Sequence, residues 1–137
     1  MSNIIIKEKK KVFTNGVFDI VHRGHIELLK YCKSFGHVVV GLNSDASVRR
    51  LKGINRPIIS ENDRKFVLES CKYVDEVIIF NEDTPINLIK SINPDIIIKG
   101  GDYKKEEVVG FGLHKIKIFK YLDGQSTTQI IKNINNR

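Results

Sequence analysis

His22 and His25 stand three residues apart, with Gly24 between them, in the stretch "FTNGVFDIVHRGH" (13–25). At that spacing two imidazoles share one side of a first helical turn. Each can donate a ring N–H to a phosphoryl oxygen. Gly16 and Gly24 let backbone amides approach an anion closely. A helix opening near Arg23 adds unpaired N–H groups and the positive end of its dipole. Lys52 and Arg64 can supply full positive charge, the arginine bidentately. Ser126, Thr127 and Thr128 open a second helix that suits an anion in the same way. Asp19 and Asp102 are the acids placed to hold a divalent cation beside such phosphates. The chemistry that unites these groups is the handling of a polyphosphate.

Other chemistries fit less well. H-x-x-H can be half a metal site, but His37 and His114 do not obviously complete it. Serine–histidine hydrolysis wants a G-x-S-x-G elbow, which is missing. The G-x-x-x-x-G-K-[ST] loop and the G-x-G-x-x-G dinucleotide fingerprint are missing too. Taken singly, each element has an ordinary reading. A histidine at a helix start is usually a cap, "STTQ" caps a helix, "GG" makes a turn, and Arg64 is an exposed helix charge. Their joint placement just after strands is what carries the anion reading.

The elements that must position these groups alternate along the chain. Strand patterns cover 11–16, 37–42, 75–80, 94–102 and 115–119. Helical spacing covers 23–35, with Gly36 as its stop, then 63–73. A further helix runs from Pro85 to about Ile92, capped by Thr84 or Asp83. The last covers 126–134, where Ser126 and Gln129 have capping-box spacing. The polar stretch 43–53 reads as a loop with a short helix. Strands alternating with crossover helices predict an α/β fold, a Rossmann-like doubly wound parallel sheet of about five strands with helices on both faces. One domain is expected over residues 1–137. Ligands of such sheets bind beyond the carboxyl ends of the strands, where strand order reverses. The loops to watch are therefore "NGVFDIVHRGH", "NSDASVRRLKG", "NEDT", "KGGDY" and "LDGQSTT".

Composition narrows the function classes. A chain of 137 residues, 41% hydrophobic and 28% charged, suits one water-soluble domain with a real core. No apolar run reaches membrane-spanning length, and the three isoleucines near the start make no signal-peptide core, so no membrane partner and a cytoplasmic location are expected. Cys32 and Cys71 form no C-x-x-C pair and read as reduced, structural thiols. The net charge of +7 is scattered, without a basic stripe carrying interleaved aromatics. That argues against nucleic acid and leaves a phosphate-rich small substrate, or nothing but solubility, as readings of the charge.

"GVFDIVHRGHIELL" resembles the signature of the nucleotidyltransferase superfamily marked by H-x-G-H, and "STT" before the final helix resembles its second signature. With "NSDASVRRLKG", "RPI", "NEDTP", "PDIIIKGGDY" and "VVG", the chain from about Val12 to Ile134 is most similar to the adenylyltransferase domain that makes ADP-heptose. The resemblance implies that a phosphate oxygen of a sugar or polyol phosphate attacks the α-phosphate of a nucleoside triphosphate, releasing pyrophosphate. It implies ATP as substrate and Mg2+ as cofactor. It gives His22 and His25 contacts to the phosphates, and lays the backbone of Asn15, Gly16, Val17 and Phe18 against the triphosphate beside Gly24. Lys52 then reaches the phosphates, Arg64 neutralises the β/γ end, and Ser126, Thr127 and Thr128 cap the triphosphate. The base is expected near Lys99, Gly100, Gly101 and Asp102, and the cation near Asp19 and Asp102. Glycerol-phosphate cytidylyltransferases share this frame but tend to carry an arginine ahead of "STT", where Tyr121 or Leu122 stands here. Three readings stay open: ATP with a heptose 1-phosphate, CTP with a polyol phosphate or ATP with a flavin phosphate, and a non-catalytic nucleotide- or RNA-binding module. A homodimer is implied, with "KYVDEV" near its interface, and any sugar kinase is expected on a separate chain.

Overall fold

The computed structural model describes residues 9–121 and 126–137. Five strands form one parallel sheet: β1 (Lys10–Gly16), β2 (Gly36–Asn43), β3 (Glu76–Phe80), β4 (Ile96–Gly100) and β5 (Lys115–Phe119). Their spatial order is β3-β2-β1-β4-β5. Between them run α1 (Arg23–Lys33), α2 (Asp45–Lys52), α3 (Glu61–Glu69) and α4 (Ile86–Ile92), and α5 (Thr127–Asn135) follows β5.

The central strands are apolar on both faces because both faces are covered. Successive side chains of a strand point to opposite sides. Val12, Val38, Val40, Ile96 and Ile98 accordingly join one core with Leu28, Leu29 and Cys32 of α1 and Leu68 of α3. Phe13, Val39, Ile97 and Ile116 join the other, with Ile89 of α4 and Val108. The doubly wound expectation is therefore met, and β1 lies in its middle.

The sheet opens at one place. β1 pairs with β2 along all seven of its residues, from Lys10↔Gly36 to Gly16↔Leu42. Its ladder with β4 carries only Val12↔Ile96 and Phe13↔Ile97. Chain order also reverses between β1 and β4, since β1 runs on to β2 and β3 on one side and β4 to β5 on the other. The crevice expected of this topology thus lies between the ends of β1 and β4.

Local details depart from the sequence reading. Ser34, not Gly36, caps the end of α1. Gly36 begins β2, where a Cβ would sit 2.1 Å from the Lys10 carbonyl oxygen, so close strand approach demands the glycine. The helix placed at 63–73 runs Glu61–Glu69 instead, because the chain turns before β3. Pro85 takes the N-cap place of α4, with no side-chain bond from Thr84 or Asp83. Ser126 caps α5 by accepting from the Gln129 backbone N–H, but Gln129 turns its own amide to Asn133, so only half of the capping box forms. Residues 122–125, including Leu122, and the first eight residues lie outside the described part.

Candidate active site

His22 is the N-cap of α1. Its Nδ1 accepts from the Gly24 backbone N–H at 3.1 Å, and His25 Nδ1 accepts from the His22 backbone N–H at 3.2 Å. A neutral imidazole whose Nδ1 accepts must carry its proton on Nε2. The capping bonds therefore fix the tautomer of both rings and leave each Nε2–H as a donor. The rings stack with centroids 4.0 Å apart, and Phe18 packs on His25 at 5.2 Å. Burial, then the neighbouring His22, pushes the His25 pKa down to about 4, despite a weaker upward pull from Asp19. Burial lowers His22 as well. Both rings are neutral donors at pH 7. Gly24 lies beneath them, where a Cβ would stand 2.9 Å from the His22 ring.

A cavity of about 530 Å³ occupies the crevice. Its walls include Asn15 and Gly16 at the end of β1 and Val17 and Phe18 just after it, with His22 and His25 of the helix start. Lys52 enters from the end of α2, Lys99 and Gly100 from the end of β4, and Ser126, Thr127 and Thr128 from the start of α5. Segments scattered over more than a hundred residues thus face one space. Lys99 is held below the usual lysine pKa by burial and by Lys52, and its ammonium lies 5.5 Å over the Tyr103 ring. Asp83, the cavity carboxylate besides Asp19, is bonded to Arg50 at 2.9 Å. The pocket therefore presents cations and neutral N–H donors, the electrostatics of an anion site.

The loop that joins β1 to α1 is strained. Phe18 and Ile20 both adopt left-handed backbone angles, with φ of 49° and 51°. Such residues cost on the order of 1–3 kcal/mol each and persist only where their surroundings hold them. The buried Asp19 between them does so. Its carboxylate accepts from Arg56 Nε at 3.0 Å, from the Ile58 N–H at 2.8 Å and from the Ile59 N–H at 3.0 Å. Its carbonyl accepts from the Thr127 hydroxyl at 2.5 Å, tying α5 to the same loop.

Those bonds correct the expected cation site. Asp19 is engaged by three donors, and Asp102 is exposed and stands outside the cavity walls. Among the described residues no three His, Cys, Asp or Glu side chains converge on a metal. Asp19 and Asp102 therefore do not form a shared ligand set for Mg2+.

Arg64 is the second correction. It is buried, at 1% exposure, and does not line the cavity. Nε donates to the Ile59 carbonyl, Nη1 to the carbonyls of Val17 and Asn43, and Nη2 to Asp45, all at 2.8 Å. It ties the ends of β1 and β2 to α2 and α3 instead of reaching phosphates. Gly101, also expected at the ligand, instead turns the chain with its N–H on the Phe119 carbonyl. Sequence reasoning missed Arg56, Tyr103 and Leu28 as cavity residues. The position of Arg56, after the helix that carries Lys52, was the available signal. Tyr121, which stands where cytidylyl enzymes tend to carry arginine, does line the cavity. Burial first raises its pKa, to about 12, so it is a neutral phenol.

Comparison with known proteins agrees with this geometry. Residues 13–133 match the family model described as Cytidylyltransferase-like. The chain is 54% identical over 129 residues to "Bifunctional protein HldE" of Campylobacter curvus, covering 93% of this chain and 28% of that protein. It is 50% identical to the protein of the same name from Helicobacter pylori, again over 93% and 28%. The chain therefore spans little more than a quarter of these relatives. A lipopolysaccharide core biosynthesis protein from Thermoplasma volcanium superposes with TM-score 0.68 at 32% identity, over 85% of this chain and 98% of that one. A pantothenate synthetase from Thermus thermophilus, 14% identical with TM-score 0.60 over 87% and 58%, shares the fold. Family model, relatives and crevice agree: the chain belongs to the cytidylyltransferase-like family.

Proposed function

We propose that the chain is an adenylyltransferase that moves AMP from ATP to a sugar 1-phosphate, D-glycero-β-D-manno-heptose 1-phosphate or a close analogue. A phosphate oxygen of the acceptor attacks the α-phosphorus in line. The bond from the α-phosphorus to the bridging oxygen breaks, and pyrophosphate leaves with that oxygen. No protein nucleophile is needed, since positioning and charge stabilisation lower the barrier.

One observation carries the reading. His22 and His25, with their tautomers fixed by backbone bonds at Nδ1, line the same cavity as Lys52 and Lys99. His22 and His25 would stabilise charge growing on the transferring phosphoryl group without moving a proton. Asn15 to Phe18 would lie along the triphosphate, and Ser126 to Thr128 would close on it from α5. Mg2+, the expected cofactor, would enter on the phosphates of the triphosphate and not on Asp19 or Asp102.

Adenine is favoured over cytosine by the neutral Tyr121 in place of an arginine, and by half-identity to the HldE proteins. A sugar phosphate acceptor is favoured by likeness to a lipopolysaccharide core biosynthesis protein. We place the chain in the cytoplasm, where its two free cysteines stay reduced. Among the described residues no helix is long and apolar enough to cross a membrane.

The test is pyrophosphate release with each of four nucleoside triphosphates against heptose 1-phosphate, glycerol 3-phosphate and a flavin phosphate. Release is expected with ATP and the heptose phosphate together. Preference for CTP with glycerol phosphate would transfer the chain to the cytidylyl reading, and release with no pair would leave a binding module.

A further inference from the structure

Two arginines flank the strained loop, and they differ in how their donors are used. Arg64 has every nitrogen of its guanidinium bonded within the protein. The Arg56 side chain is only 14% exposed and lines the cavity, yet it bonds through Nε alone, to Asp19. A guanidinium has five N–H donors. Among the described residues, the four on the two terminal nitrogens of Arg56 have no partner. Neither terminal nitrogen is sealed from solvent, so a ligand in the cavity can reach both.

The brace behind Arg56 is itself built. The Asp19 side chain is fully buried. By also accepting from the Ile58 and Ile59 amides it fixes the backbone that follows Arg56. Nε is the inner edge of the fork, so the brace leaves the two terminal nitrogens as a preset pair for a second oxyanion. Asp19 is already matched by Arg56, and Asp83 by Arg50, so no free carboxylate competes in the cavity among the described residues.

We propose that Arg56 binds a phosphoryl group of a substrate through its terminal nitrogens, and that Asp19 is the positioning residue that aims it. The proposal rests on the reading of the cavity as a site for phosphorylated substrates. It moves the phosphate-binding arginine from Arg64 to Arg56. Planar bidentate recognition of phosphate is what arginine does and lysine does not. The phosphoryl group comes either from the nucleoside triphosphate or from the phosphate monoester of the acceptor.

Calorimetric titration of the intact chain with inorganic tripolyphosphate and with heptose 1-phosphate separates the two sources. Arg56→Gln should weaken one probe by at least about tenfold and leave the other within about twofold. Arg56→Lys should recover only part of the loss. A loss confined to tripolyphosphate assigns the triphosphate, and a loss confined to the monoester assigns the acceptor. Asp19→Asn should weaken the same probe, with no further loss when added to Arg56→Gln, as expected of residues acting in one chain of contacts. A purely structural Asp19 would add its loss in full, which would overturn its positioning role. Folded Arg56→Gln protein with equal losses for both probes, or none, overturns the role of Arg56 and leaves the proposed function standing. Wild-type protein that binds neither probe overturns both.

Discussion

His25 does two jobs with two nitrogens. Nδ1 caps the helix and Nε2–H is left for the ligand. Its folded pKa of about 4 lies below the ordinary 6.5, so the unfolded chain takes up the proton first as pH falls. Its contribution to stability is full above about pH 6.5 and is lost between 6.5 and 4, amounting to about 3 kcal/mol. Denaturant titrations across that window should show the slope. In His25→Asn the amide oxygen can replace Nδ1 as acceptor, while nothing replaces Nε2–H. That variant should stay folded and lose the His25 part of the slope. Its turnover should fall at least about a hundredfold, as loss of a transition-state donor does. Near-normal turnover would take His25 out of the chemistry. The pair was legible in the sequence because spacing alone puts both rings on one turn. The tautomers were not, since they depend on backbone N–H groups whose direction only the folded cap sets.

At the scale of elements, Arg64 shows where pattern reading runs out. An arginine among helical polar residues reads as exposed, and only the tertiary fold shows it buried beneath the ends of β1 and β2. Arg64→Met should therefore lower unfolding free energy by about 3 kcal/mol, the scale for breaking a buried charged network. Its KM for ATP, measured well below the melting temperature, should stay within about threefold. Unchanged stability with a large rise in KM would restore the phosphate role. The strands were legible because the apolar runs at 37–42 and 94–102 are long and bounded by glycines or turns. The crevice itself was not, because the short β1–β4 ladder is a matter of register between distant segments. For the same reason Asp19 read as a free acid, although its three donors come from a loop about forty residues on.

At the scale of the whole molecule, two features bear on partners. Of the basic residues behind the net charge of +7, Lys52, Arg56 and Lys99 line the cavity. Exposed apolar side chains fall mainly in two stretches, Leu51, Ile54, Ile58, Phe66 and Val67 in one and Tyr103, Phe111 and Leu113 in the other.

The central claim is that loops from four strand ends converge on one triphosphate. A crystal structure with a non-hydrolysable ATP analogue tests it most directly. Phosphate oxygens should lie about 3 Å from Nε2 of both His22 and His25, with Lys52 or Lys99 on the same phosphates. A triphosphate seated elsewhere, with both imidazoles more than about 5 Å from any phosphate oxygen, would contradict it.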